Sequence, residues 1–349
     1  MKYKRLGSTG LYVSEICLGA MTFGGDPAAG TFRGMGYLDQ PQVDAIVGRA
    51  LEAGVNFIDT ADTYFMGQSE RMVGQALRNL GVARRDIVVA SKTSGIVGPG
   101  PNDRGASRGH IMDSVKASLD RLQTDYIDLY QIHQTDTVTR VDETLRALDD
   151  LRSQGLIRYF GVSNWHAWRI ARSLGISEAR NYGRFEAVQA YYSIAGRDIE
   201  RELAPLIEAE GLGLMVWSPL AGGLLSGKFG PGAETPEGAR RTTFNFPPVN
   251  TDRAWPIVAV MREIGAEQGV SVARVALAWL LARPAVMSVI VGASNIKQLD
   301  DNLAATDLVL SSEAMARLDQ ISALEPEYPG WMLTFQGDSR IPKPFNPKP

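Results

Sequence analysis

Four residues at separate places in the chain, Asp59, Tyr64, Lys92 and His133, have side chains that together suit proton delivery. A tyrosine is a poor acid near neutral pH because its unperturbed pKa is about 10. A nearby lysine ammonium stabilises the phenolate and lowers that value, and a carboxylate paired with the lysine holds it in place and keeps it charged. A histidine can hydrogen-bond the oxygen of a bound carbonyl and help the tyrosine deliver its proton. Such a set suits reduction of a ketone or aldehyde. No side chain supplies hydride, so a cofactor is implied. Each residue alone has an ordinary alternative: a helix cap or ion-pair partner for the Asp, a satisfied core residue for the His, an uninvolved loop residue for the Tyr or Lys. The argument rests on their coincidence.

All four sit at or just beyond the end of a short apolar run. Asp59 closes NFID and Tyr64 follows within one loop, in IDTADTY; Lys92 closes IVVASK and His133 closes IDLYQIH. Polar residues ending buried strands are what a parallel sheet presents at its carboxyl edge, where α/β proteins keep their chemistry. Candidate strands are 15–19, 56–59, 86–92, 128–133, 159–163, 186–190, 214–218 and 287–292. Between them lie helical spacings, such as Ile111, Val115, Leu119 and Leu122, or Leu145, Leu148 and Leu151. Eight strand–helix units favour a closed (β/α)8 TIM barrel over an open doubly wound sheet. Residues 1–14, with a Gly-Ser-Thr-Gly turn, predict an N-terminal β-hairpin. With no Pro- or Ser-rich linker, residues 1–349 read as one domain. Residues 219–250 and a tail from about 325 to 349 fall outside the repeat and predict long loops over the site.

The composition excludes several function classes. With 44% hydrophobic and 21% charged residues the 349-residue chain is of ordinary globular type, and a net charge of −3 gives no reason to expect nucleic acid or an anionic membrane. The single cysteine, Cys17, cannot form an internal disulfide, and three histidines without CxxC or HExxH predict no metal site. The absence of a signal-like or membrane-length apolar stretch predicts a cytoplasmic protein. No GxGxxG occurs, since the Gly-x-Gly pairs at 34/36, 98/100, 211/213 and 230/232 all lack the third glycine. Gly222–Lys228 matches GxxxxGK, but Phe229 replaces the magnesium-binding Ser or Thr, and FGPG cannot open a helix.

From the opening LGSTGLYVSEICLGAMTFGG to about Asn302, the sequence resembles the aldo-keto reductase superfamily, (β/α)8 barrels that reduce carbonyls with NADPH. The resemblance rests on GVNFIDTADTY (54–64), IVVASK, DYIDLYQIH, IRYFGVSNW (157–165), VWSPLAGGLLSGK (216–228) and VGASNIKQLDDN (291–302). It implies that Asp59, Tyr64, Lys92 and His133 form the catalytic tetrad, with Tyr64 as proton donor. It further implies that Ser163 and Asn164, assisted by Gln189, bind the nicotinamide carboxamide, that the nicotinamide stacks on Trp217, and that Ala20 and Met21 lie beside it. Ser218, Pro219, Leu220, Ala221 and Gly222 match the segment over the pyrophosphate, with Lys228 near the phosphates. Gly292, Ser294, Gln298, Asp301 and Asn302 match the adenosine pocket, although Asn295 and Gln298 equally make a helix-capping signal.

Many members carry Arg or Lys directly after the Gly-Ala pair to grip the 2′-phosphate of NADP. Here Ser294 and Asn295 follow. Arg240 or Arg241 can supply that charge, as an arginine does in the branch containing the potassium-channel β-subunits, so NADPH is expected over NADH. That branch also implies the alternative, an NADPH-binding regulatory or redox-sensing subunit with little turnover. His133 weighs against it, because the channel subunits carry Asn at that position. The substrate is expected to be a small-molecule carbonyl, selected by Phe23–Leu38, Thr93–Arg108, the surroundings of Trp165 and Tyr192, and the tail around Trp331. A homo-oligomer is compatible with the sequence but not indicated by it.

Overall fold

A computed structural model describes residues 1–25, 37–230, 241 and 245–340, the last three without their side chains. The chain opens with the expected hairpin, β1 (Tyr3–Arg5) and β2 (Tyr12–Ser14), paired antiparallel with Lys4 opposite Val13. Eight parallel strands follow: β3 (Ile16–Gly19), β4 (Phe57–Asp59), β5 (Val88–Thr93), β6 (Ile127–Ile132), β7 (Ile157–Ser163), β8 (Phe185–Tyr191), β9 (Gly213–Trp217) and β10 (Val286–Val291). They close into a barrel in chain order, β10 pairing with β3. Each predicted strand is found, with its ends within two residues of those expected.

The helices are α1 (Gln40–Glu52), α2 (Gln68–Asn79), α3 (Arg108–Leu122), α4 (Val141–Ser153), α5 (Ala167–Arg180), α6 (Leu203–Glu210), α7 (Thr251–Gln268), α8 (Val272–Leu281), α9 (Ile296–Leu303), α10 (Ser312–Ile321) and α11 (Gly330–Arg340). Their starts follow capping chemistry. Asp39 and Gln42 make a reciprocal capping box at α1, and Ser107, Asn250, Ser271, Asn295 and Ser311 accept from first-turn amides. Two helices, α7 and α8, lie between β9 and β10, where a strict repeat predicts one. Among the described residues no single helix is long and apolar enough to cross a membrane.

Two apolar clusters hold the barrel. The larger fills the layer between strands and helices. The smaller lies inside and takes alternate strand residues, Cys17, Phe57, Val88, Ala90, Leu129, Ala187, Met215 and Met287, with Leu6 and Val13 of the hairpin packed among them. The hairpin therefore closes one end of the interior. The inward rows turn polar only at the carboxyl end.

Candidate active site

Two residues beyond the inner apolar row, the same alternation turns Asp59, Lys92, Gln131 and Gln189 toward the interior at the carboxyl end. Registers set the neighbours: Lys92 lies opposite Gln131, and Gln189 opposite Ser163. Lys92 is the penultimate residue of β5 rather than its last, and His133 is the first beyond β6, its amide donating to Thr93 O at 2.8 Å. Tyr64 arrives from a turn stitched by Tyr64 N donating to Ala61 O at 3.2 Å.

Lys92 Nζ donates to Asp59 Oδ2 at 2.5 Å, to Thr60 O at 2.9 Å and to the Tyr64 hydroxyl at 3.2 Å, which occupies all three of its N–H groups. Asp59 Oδ1 accepts from Gln189 Nε2 at 2.9 Å and from Gln131 Nε2 at 3.3 Å. The His133 ring meets the Tyr64 ring edge-on, centroids 5.6 Å apart. The four expected tetrad residues are thus in one place, on four different turns or strands.

Burial dominates their titration. It pushes the Tyr64 hydroxyl up; Lys92 pulls it down as expected, but burial outweighs that pull in the free protein. Asp59, which Lys92 also pairs with, adds a smaller upward push. For Lys92 burial works against the charge, but Asp59 and Tyr64 raise the ammonium above its usual range. Burial, helped by Lys92, holds His133 well below the usual imidazole range, and its buried Nδ1 has no hydrogen-bond partner among the described residues. At neutral pH the set is a protonated phenol, an ammonium–carboxylate pair and a neutral imidazole.

Around this centre lie the residues matched to a cofactor. Ala20 is buried, its amide donating to Asp59 O at 2.8 Å, and Met21 is half-buried beside it. Ser163 is buried, and its Oγ has no partner among the described residues. Asn164 adopts a left-handed φ of 61°, donates from Nδ2 to His133 O at 3.2 Å and accepts from Trp217 Nε1 at 3.0 Å. Trp217 stands in an aromatic row, 5.2 Å from Tyr191 and stacked with Phe246 at 5.6 Å. The 218–222 segment is a tight coil. Ser218, Ala221 and Gly222 have φ of 51°, 50° and 65°, Gly222 N donates to Ser218 Oγ at 3.0 Å, and Pro219 and Leu220 form the bend between them. Lys228 is exposed past its end.

After β10, Gly292 is open, with nothing within 4 Å of where a Cβ would project. The Ser294 amide and hydroxyl donate to Gln298 Oε1 at 3.1 and 2.7 Å, so the capping reading of this motif holds. Asn302 Nδ2 donates to Gly292 O at 3.5 Å. Asp301 accepts from Arg274 Nε and Ser271 Oγ, each at 2.7 Å, which ties α9 to α8. Arg240 lies outside the described residues. Arg241 donates from Nη1 to Ala221 O at 2.7 Å and Pro247 O at 3.2 Å, and from Nη2 to Asn245.

The profile of the Aldo/keto reductase family matches residues 15–323. The chain belongs to this family. Among relatives of this aldo/keto reductase, a probable voltage-gated potassium channel subunit beta of Arabidopsis thaliana is 36% identical over 94% of this chain and 99% of that protein. The uncharacterized oxidoreductase YrpG of Bacillus subtilis is 35% identical over 92% of this chain and 96% of its own length. Versiconal hemiacetal acetate reductase of Aspergillus parasiticus is 31% identical over 95% of this chain and 99% of its own. The fold and these relatives make the protein an NAD(P)H-dependent oxidoreductase of carbonyl-reducing type.

Sequence reasoning overlooked Gln131, whose amide completes the shell of Asp59. The available signal was a lone amide in the run DLYQIH, on the inward face shared with Leu129. It also passed over Phe246, which no motif contains.

Proposed function

We propose that this aldo/keto reductase reduces aldehydes or ketones with NADPH, with Tyr64 protonating the carbonyl oxygen as hydride reaches the carbonyl carbon. The observation that carries the reading is Lys92 Nζ, fully buried, hydrogen-bonded to the Tyr64 hydroxyl and Asp59 together. Tyr64 holds its proton at rest because burial raises its pKa. As that proton leaves, the ammonium at 3.2 Å stabilises the new phenolate without reorganisation. Lys92 is the weaker candidate for donor, since its three N–H groups are committed within the protein. Neutral His133 donates a hydrogen bond to the carbonyl oxygen and orients the substrate over Tyr64. The alcohol leaves before the oxidised cofactor.

The residues present fit a nicotinamide cofactor. Bound NADPH supplies hydride from its nicotinamide ring. The buried, unpartnered Ser163 Oγ is a donor that lacks an acceptor within the described chain, as a carboxamide site requires. Asn164 and Gln189 already share their amides with Trp217, His133 and Asp59, which fixes their orientation for that contact. Trp217 supplies an aromatic surface, and Lys228, exposed past the 218–222 coil, supplies a cation for phosphates. Gly292, Ser294, Gln298, Asp301 and Asn302 frame the adenosine end at the N-terminus of α9.

Preference for NADPH over NADH rests on an arginine reaching the 2′-phosphate. Because the Arg241 guanidinium is committed to Ala221, Pro247 and Asn245, we assign that task to Arg240 and a loop-clamping task to Arg241. Michaelis constants for both cofactors in the parent, Arg240→Ala and Arg241→Ala proteins test this; equal use of NADPH and NADH by all three overturns it.

The central test is Tyr64→Phe, expected to lower reduction by roughly 10²- to 10⁴-fold while NADPH still binds. Equal losses in turnover and binding would make Tyr64 structural. The second reading, a cofactor-binding regulatory subunit, is favoured by the name of the Arabidopsis thaliana relative. Multiple-turnover NADPH oxidation with a panel of aldehydes and ketones separates the two, since tight binding without turnover supports the regulatory role.

A further inference from the structure

Beyond Asp59 the chain goes on pairing with β5. Thr60 N donates to Ala90 O at 2.9 Å and Asp62 N to Lys92 O at 3.1 Å. The alternation of an extended strand therefore continues, with Asp59 facing the interior and Thr60 and Asp62 facing the layer between sheet and helices. Thr60 meets Ser69 of α2 there, hydroxyl to hydroxyl at 2.8 Å. Asp62 is 1% exposed, a second buried carboxyl that the reaction does not use.

Its surroundings are polar and closed. Glu70 from α2 and Arg121 from α3 act on it, the Thr93 hydroxyl of β5 lies beside it, and Tyr130 of β6 shares that hydroxyl. Tyr64 on its own segment also feels its charge. Lys92, the other nearby cation, points to the opposite side of β5 and is paired with Asp59. Glu70 accepts from Ser91 Oγ at 2.5 Å and from Arg121 Nε at 2.6 Å, so the cation on Asp62's side of the sheet is already paired. Both Asp62 oxygens, Thr93 Oγ1 and the Tyr130 hydroxyl are buried without a well-formed hydrogen bond among the described residues. Two carboxyls with one guanidinium leave one negative charge too many, and a buried carboxyl in that position keeps its proton.

Arg121 links this cluster to the catalytic turn. Its side chain packs where a Cβ on Gly67 would stand, 2.5 Å from that point, and Gly67 ends a left-handed run with Phe65 and Met66 at φ of 82°, 48° and 54°. We propose that Asp62 is a positioning residue for Tyr64: as a neutral acid it joins Thr93 and Tyr130 in a polar seam outside the barrel wall and leaves Arg121 to brace the turn that presents Tyr64. Once ionised, Asp62 competes with Glu70 for Arg121 and loosens that turn.

Burial, reinforced by Glu70 and opposed by Arg121, pushes the Asp62 carboxyl up to about 8. An unfolded Asp titrates near 3.9. The folded protein therefore holds a proton between these values that the unfolded chain has released. This group's contribution to stability is full below about pH 4 and is lost as pH rises toward about 8.

The test compares the parent with Asp62→Asn, which keeps the shape of the neutral acid, and Asp62→Ala, which does not. The parent is expected to lose about tenfold in kcat as pH rises through about 8, with NADPH affinity changed less than about twofold. Asp62→Asn should keep kcat within about threefold at pH 7 and lack that alkaline limb, whereas Asp62→Ala should fall about tenfold at pH 7. An identical alkaline limb in Asp62→Asn overturns the proposal. Should either variant fail to fold, carbon-13 NMR of labelled aspartate carboxyls in the parent decides: one carboxyl protonated at neutral pH and titrating above it is expected, and its absence overturns the proposal. The role rests on Tyr64 as proton donor, so the same titration is followed in Tyr64→Phe. Persistent activity with the titration intact overturns the Tyr64 reading and the positioning role with it; a missing titration overturns Asp62 alone.

Discussion

At the scale of single residues, the site is governed by how one ammonium is shared. Lys92 is fully buried and stays charged because Asp59 lies 2.5 Å away, and Gln189 and Gln131 donate to the same carboxylate. Removing one partner of a buried ion pair leaves the other uncompensated, at a cost of about 3–5 kcal/mol. Asp59→Asn is therefore expected to lower the stability of the folded protein by about that amount, read from the urea midpoint, and to lower turnover because Lys92 no longer holds its place beside Tyr64. The sign of the pH dependence follows from the raised Lys92 value. The raised Lys92 pKa contributes stability that is full below the ordinary lysine value, near 10.4, and is lost only as pH rises through the still higher folded value. In Asp59→Asn the buried ammonium loses the partner that keeps it charged, so burial lowers its pKa and the stability deficit from the parent should shrink as pH rises toward about 10. Neutral His133 has a matching consequence: with its pKa held far below neutrality, it contributes no titration to the activity profile between about pH 6 and 8. A limb there that disappears in His133→Gln would contradict this assignment.

Elements decide where those side chains stand, and here the sequence was most legible. Short apolar runs between amphipathic segments carry the period-two and period-3.6 signals that the barrel needs, so all eight strands could be read, as could the approach of Asp59, Tyr64, Lys92 and His133. What could not be read is what depends on register and on pairing across the sheet. Gln131 points at Asp59 only because β6 aligns it with Lys92, and Asp62 turns outward only because pairing with β5 continues past β4. The two helices between β9 and β10 lie after the 219–250 stretch, and a break of three residues, with Gly269 ending the first and Ser271 capping the second, divides what a strict repeat predicts as one. Capping signals, in contrast, were local and dependable. Asn295 caps α9, accepting from Gln298 N at 2.9 Å, at the helix end assigned to the adenosine side of the cofactor. Asn295→Ala should lower stability by about 1 kcal/mol and also weaken NADPH binding, measured by fluorescence titration. Lost stability with unchanged affinity would assign Asn295 to capping alone.

Across the whole molecule, the polar site and the apolar plug lie at opposite ends of one barrel. The carboxyl end collects the polar inward residues, whereas at the other end the hairpin inserts Leu6 and Val13 among Phe57, Met215 and Met287. Both hairpin side chains are fully buried, so Leu6→Ala opens a cavity in a close-packed interior rather than exposing a surface contact. Core truncations of this kind cost about 2–5 kcal/mol. The hairpin also ties distant parts of the fold together: Lys4 Nζ donates to Val286 O at 2.8 Å, and Asn56 Oδ1 accepts from Ser14 N at 2.7 Å, joining it to β10 and to the start of β4. Loss of its anchor should therefore lower the cooperative unfolding transition as a whole rather than fray one end. Because the inner apolar row separates Leu6 from the tetrad, kcat and the Michaelis constant for NADPH at a temperature well below the melt are expected to match the parent. A Leu6→Ala protein that melts earlier but turns over normally would confirm that the hairpin holds the barrel without shaping its active end. A fall in kcat with unchanged melting would mean that packing at the closed end is transmitted along the inward rows to Asp59 and Lys92.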